Sequence, residues 1–228
     1  MPDSRPSTAG WPWASGPCPR LKRCGCGGGR RRNVVLDGIL VEQLMGMNRF
    51  THRGHGYGFD LEDAHEAMGR LKPTPDQQKG LQGTNQDIYD TLVLGTTTTK
   101  TIGGDSKSYT LRFVDWENPA NNLFHVTAEF AVEGTTSGQV QHCDVVGFVN
   151  GIPVLVMESK RPSESLEKAD SQLIGYQQAD NIPQLFHFTQ LLITMNRREA
   201  RYMPRWEHRV NSGTHGGTRK IPTQPLHP

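Results

Sequence analysis

Three side chains in one short stretch carry chemistry that few other parts of the chain could support: Asp144, Glu158 and Lys160, within HCDVVGFVNGIPVLVMESKRP from His142 to Pro162. Two carboxylates are hard oxygen ligands of the kind that Mg2+ takes, one or two at a time, while keeping several waters. A cation so held polarises a phosphoryl oxygen and activates water. An ammonium beside it offsets charge developing on the phosphorus oxygens. The residue types therefore point to metal-assisted phosphodiester hydrolysis, with Asp144 and Glu158 as metal ligands and Lys160 as the catalytic cation. Solvated charges at strand ends are the plainer alternative for the same three residues.

Whether these groups can meet depends on the turn at Asn150-Gly151. Asn-Gly favours a two-residue type I′ hairpin. In that register Val149 pairs with Ile152 and Asp144 with Met157, and Asp144 turns away from Glu158 and Lys160. A three-residue loop, Val149-Asn150-Gly151, with Gly151 left-handed as a G1 bulge, instead pairs Phe148 with Ile152 and sets Asp144 across from Val156. Because side chains alternate along a strand, Asp144, Val146, Phe148, Val154, Val156, Glu158 and Lys160 then share a face. The bulged register is the expected one.

The surrounding pattern supplies the elements that hold the strands. Asp60 to Arg70 reads as a helix with Leu61, Ala64, Met68 and Leu71 inward, and Gln86 to Leu94 as a second with Ile88, Leu92 and Tyr89 inward. Leu123 to Val132 alternates as a half-buried strand, with Phe124, Val126, Ala128, Phe130 and Val132 on one face and His125, Thr127 and Glu129 on the other. Ser163 or Ser165 can cap a helix running to about Asp180, with Leu166, Ala169, Leu173 and Tyr176 or Gln177 facing in. Gln172 and Tyr176, four apart, lie on neighbouring surface of that helix. Thr189 to Met195 is an apolar strand, reached by a crossover long enough to be parallel to the Glu158 strand. The expected fold is α/β, with an αβββαβ core whose mixed sheet is flanked by helices.

Several features together resemble one family. They are NQDIYDTLVLG from Asn85 to Gly95, FVDWENPANNLF from Phe113 to Phe124, the Asp144 to Pro162 hairpin, Gln172 and Tyr176 in QLIGY, and Asn181 to Phe186. The hairpin resembles the PD-(D/E)xK nuclease motif. The stretch of about 60 to 203 resembles the N-terminal nuclease domain of the restriction (R) subunit of type I restriction-modification enzymes. The resemblance implies a restriction-endonuclease-like fold, Mg2+ bound by Asp144 and Glu158, a catalytic Lys160, and Gln172 and Tyr176 flanking the site. It also implies double-stranded DNA as substrate and modification and specificity subunits as partners. The whole enzyme of that family carries an ATP-driven translocase. No G-x-x-x-x-G-K-[ST] loop occurs in this chain, so ATP is not expected to bind here through a P-loop. The upstream acidic residue of the wider superfamily is left open among Glu42, Glu62 and Glu66. The competing function is a catalytically silent DNA-binding or assembly module, or a nonfunctional fragment.

Composition sets the bounds. Of 228 residues, 34% are hydrophobic, mean hydropathy is -0.60, and there are 25 glycines and 15 prolines. Residues 1–32 and 204–228 lack apolar periodicity and read as disordered or aberrant tails around a 33–203 domain. Cys18, Cys24 and Cys26 lack the second ligand pair that a zinc site needs, and Cys143 reads as a small buried hydrophobe. With no secretory signal and no apolar run of membrane length, a cytoplasmic protein is expected. A net charge of +2 permits DNA binding without requiring it. Arg161 is a candidate phosphate contact or a solvated strand-end charge. Trp116 is expected to cover the core, and His52 and His55 to be surface groups of a Gly-rich loop.

Overall fold

Strand alternation and Asn-Gly turn chemistry build the centre of the molecule, a three-strand antiparallel meander. The computed structural model describes residues 22–23, 32–72, 79–136, 138–204 and 219–220. The tails expected at 1–32 and 204–228, with Cys18, Cys24 and Cys26, lie outside the described residues except at Lys22–Arg23, Arg32, Pro204 and Arg219–Lys220. In chain order the elements are β1 (Lys22–Arg23), α1 (Asp37–Met47), β2 (Arg49–His52), β3 (His55–Gly58), α2 (Leu61–Leu71), α3 (Gly80–Leu94), β4 (Thr96–Ile102) and β5 (Asp105–Leu111). They continue with β6 (Phe124–Glu133), β7 (Val140–Val149), β8 (Ile152–Ser159), α4 (Leu166–Tyr176), α5 (Pro183–Phe186), β9 (Leu191–Met195), β10 (Ala200–Pro204) and β11 (Arg219–Lys220). The main sheet has the order β1-β6-β7-β8-β9-β10-β11, and β2-β3 and β4-β5 are separate hairpins. β8 and β9 are parallel, joined through α4 and α5 as the crossover required. The α/β class and the αβββαβ core order are thus present.

The hairpin corrects the expected register. Val149 pairs with Ile152, so Asn150-Gly151 is a two-residue turn. Both residues have left-handed φ, 52° and 85°, as a type I′ turn requires. The extra residue sits further along: Phe148 pairs with Pro153 and Gly147 with Leu155, leaving Val154 as a bulge in β8. A bulge changes the parity of a ladder wherever it occurs, so one inside the strand restores the alignment that the tight turn alone would lose. Beyond it Val146 pairs with Val156 and Val145 with Met157, which sets Asp144 across from Glu158 rather than Val156.

The tight turn is anchored from below. Asn150 is fully buried, and its side-chain amide donates 2.8 Å bonds to the Phe113 carbonyl and Asn122 Oδ1 while its Oδ1 accepts from Leu123 N–H. Gly151 accepts from Leu36 N–H at the start of α1, and a Cβ at 151 would lie 2.8 Å from the Leu36 carbonyl oxygen. Close approach of that backbone and the positive φ both call for glycine.

Helix faces differ from expectation at their ends. In α2 the buried residues are Asp63, Ala64, Ala67 and Leu71, while Leu61 is exposed, because Asp60 is the N-cap in a capping box with Asp63 and Leu61 falls in the first turn. In α3 Ile88 and Leu92 are buried as expected, whereas Tyr89 is on the outer side. Along β6 the single apolar face breaks at Glu129, where φ is +52°. His125 and Thr127 are buried before it, and Phe130 and Val132 after it. His52 is also buried rather than on the surface: it follows Phe50 on the inward side of β2, and its Nδ1 lies 2.6 Å from the Tyr109 hydroxyl. His55 is exposed as expected. Trp116 is 56% exposed and donates its indole N–H to the Leu92 carbonyl, so it closes the end of α3 instead of the core.

Candidate active site

The C-terminal ends of β8 and β9, in the interior of the sheet, and the inner face of α4 converge at one end of the strands. Alternation turns Val156 and Glu158 inward on β8, and both are buried. On α4 Leu166, Ala169, Leu173 and Tyr176 form the buried stripe at helical spacing, and this seats the helix over β8 and β9. Gln172, one turn before Tyr176 at the border of that stripe, reaches Lys160 just beyond the end of β8. Ser165 is the N-cap residue, although its side chain makes no capping bond.

The polar groups form a chain. Lys160 Nζ donates to Glu158 Oε1 at 2.9 Å and to Gln172 Oε1 at 2.6 Å. Gln172 Nε2 donates to the Tyr176 hydroxyl at 2.5 Å, and that hydroxyl donates to the His142 carbonyl on β7. Tyr176 therefore does more than pack, and Gln172 is tied to the site. Asp144 comes from the facing strand, with its Oδ2 accepting 2.8 Å bonds from both the backbone N–H and the hydroxyl of Ser159. Sequence reasoning did not anticipate this Ser159 contact. A serine after Glu158 gave no signal of it, because the contact exists only in the register that the Val154 bulge creates.

Electrostatics single out Glu158. Its side chain is 1% exposed, and burial raises its pKa above the ordinary glutamate value; the Lys160 hydrogen bond opposes that shift and the Asp144 charge reinforces it. Glu158 Oε2 is buried and has no hydrogen-bond partner. A buried carboxylate oxygen without a partner carries a desolvation cost that a bound cation would offset. Burial likewise pushes the Tyr176 hydroxyl up to about 12, so it remains a proton donor at neutral pH. Cys143 is buried as expected, and burial raises its thiol pKa far above the usual range.

The donor set, one orphaned Glu158 oxygen and the Asp144 carboxylate, fits a hard divalent cation of the kind that takes one or two carboxylates and keeps its waters. Among the described residues no three His, Cys, Asp or Glu side chains gather as a fuller ligand set. Of the three upstream acids left open, Glu42 and Glu62 are exposed, and Glu66 accepts bonds from Arg70 and Thr98.

The family described as type I restriction enzyme R protein N terminus matches residues 8–207. The chain belongs to that family. Among its relatives is the putative type I restriction enzyme MjaIXP endonuclease subunit of Methanocaldococcus jannaschii, 30% identical over 116 residues, which are 50% of this chain and 11% of that protein. The type I restriction enzyme HindI endonuclease subunit of Haemophilus influenzae is 35% identical over 112 residues, 48% of this chain and 10% of the relative. A second M. jannaschii relative, the putative MjaVIIIP endonuclease subunit, is 27% identical over 175 residues, 75% of this chain and 15% of its own length. The matched stretch thus spans only about 10–15% of these endonuclease subunits. Among the described residues no helix is long and apolar enough to cross a membrane.

Proposed function

We propose that this R protein N-terminal domain is the DNA-cleaving part of a type I restriction enzyme, hydrolysing phosphodiester bonds with Mg2+. The observation that carries this reading is the Lys160 ammonium, bonded at once to Glu158 and Gln172 beside a buried carboxylate oxygen that has no partner. Asp144 and Glu158 would hold the cation, which supplies Lewis-acid polarisation of a phosphoryl oxygen and a more acidic water. Gln172 holds the Lys160 ammonium in place, and Tyr176 in turn holds Gln172. So fixed, Lys160 faces the point where negative charge grows as water adds to phosphorus and one P–O ester bond breaks. Double-stranded DNA is the substrate in this reading, and modification and specificity subunits are the partners that choose where cutting occurs. ATP belongs to the motor of the complete enzyme. The setting is the cytoplasm, where chromosomal and incoming DNA meet the complex.

Calorimetric titration with Mg2+ or Mn2+ tests the reading without requiring the rest of the enzyme. Wild-type protein is expected to bind one cation, and Asp144→Ala to bind at least about tenfold more weakly, as loss of a metal-site group commonly does. Equal binding by both proteins would remove the metal from the mechanism.

A further inference from the structure

Two loops leave the site side by side. Residues 160–165 follow β8, and residues 196–199 join β9 to β10. Parallel pairing of Ser159 with Met195, the Lys160 N–H bond to the Met195 carbonyl and the Asn196 Nδ2 bond to the Glu164 carbonyl tie the two loops together. The second loop is itself rigid: Asn196 Oδ1 accepts from the N–H groups of Arg198 and Glu199, and Asn196 N–H donates to the Glu199 carbonyl. Arg161, Arg197 and Arg198 stand exposed on this pair of loops.

The nearby acids already have cationic partners. Arg201 pairs with Glu167, Asp170 and Glu199 at 2.9, 3.0 and 3.5 Å, and Lys168 pairs with Glu164 at 3.3 Å. The guanidinium groups of Arg161, Arg197 and Arg198 make no hydrogen bond or ion pair among the described residues, although the Arg161 charge is near enough to Glu164 to help lower that carboxyl's pKa. Three uncommitted guanidinium groups, carried on tied-down loops beside a cleavage centre, are suited to phosphate oxygens, which they match as planar donors.

We propose that Arg161, Arg197 and Arg198 form a rim that grips the sugar-phosphate backbone of a DNA duplex and seats it against Glu158 and Lys160. The proposal rests on the nuclease reading above. It adds an element that neither the hairpin motif nor the α4 pair specifies, a phosphate seat assembled across the β8/β9 parallel pair. Such contacts position the strand without reading its sequence.

The test is fluorescence anisotropy of a short labelled DNA duplex with the full chain in EDTA, so that metal binding plays no part. Each phosphate contact contributes about 0.9 to the slope of log affinity against log salt. Replacing all three arginines with alanine is expected to flatten that slope by about 2 to 3 between roughly 50 and 200 mM salt. Replacing all three with lysine should restore most of it, since the charge remains. Melting temperatures near wild type would show that the exposed substitutions leave the fold intact. An unchanged slope in the triple-alanine protein, or a wild-type chain without salt-dependent DNA binding, overturns the rim. Failure of the nuclease reading would show differently, as metal binding unaffected by Asp144→Ala.

Discussion

Lys160→Ala is expected to lower Mg2+-dependent nicking of plasmid DNA by about 10²–10³-fold, the range found when one electrostatic donor is removed from a transition state. Cation affinity at pH 8 should change much less, because Lys160 bonds the other Glu158 oxygen, Oε1, and supplies no ligand to the cation. Separation of the two effects is the informative part. A lysine that only propped the fold would lose nicking, cation binding and melting temperature together. Nicking by Lys160→Ala at the wild-type rate, in a preparation whose nicking is abolished by EDTA, would contradict the assigned role.

Glu158→Gln is expected to move stability and function in opposite directions. Burial raises the Glu158 pKa despite its bond to Lys160, so ionisation of this group is less favourable in the folded chain than in the unfolded one. The sign follows from linkage: stability is fully present below the ordinary glutamate pKa and declines as pH rises through the raised value. Glutamine keeps the shape and removes the buried charge. At pH 7–8 the variant should therefore melt higher, and the gain should shrink as pH falls through the raised Glu158 pKa and be gone below the ordinary glutamate range. Cation binding should be lost at every pH. In the wild type, binding should strengthen as pH rises through the Glu158 pKa, since a proton and a cation compete for the carboxylate. Thermal melts from pH 4 to 8 check the first part; a variant less stable than wild type at pH 8 would show that Glu158 is a net structural ion pair.

Much of this site was legible in the order of residue types. Asp144, Glu158 and Lys160 flank two apolar runs, and Gln172 and Tyr176 fall four apart on a helix whose buried stripe is readable from Leu166, Ala169 and Leu173. The strand faces were harder. Asn150-Gly151 was compatible with two registers, and local sequence cannot choose between a bulge at the turn and one at Val154, where only the packing of Gly147 against Leu155 marks the change. Two elements gave little periodic signal: α1, in which Leu40 and Leu44 are buried among partly buried neighbours on other faces, and the Thr- and Ser-rich β4-β5 hairpin. The buried position of His52 depended on a β2-β3 pairing that Gly54, Gly56 and Gly58 disguised as a loop. The arginine rim depended on the parallel alignment of Ser159 with Met195, residues 36 positions apart that sequence patterning alone does not align.

The most direct measurement is the anomalous scattering of crystals grown with Mn2+, a substitute for Mg2+ that can be located unambiguously. The account predicts one peak between the Asp144 carboxylate and Glu158 Oε2, with Lys160 still bonded to Gln172. Well-ordered strand ends without that peak, or a cation bound at some other cluster, would contradict it.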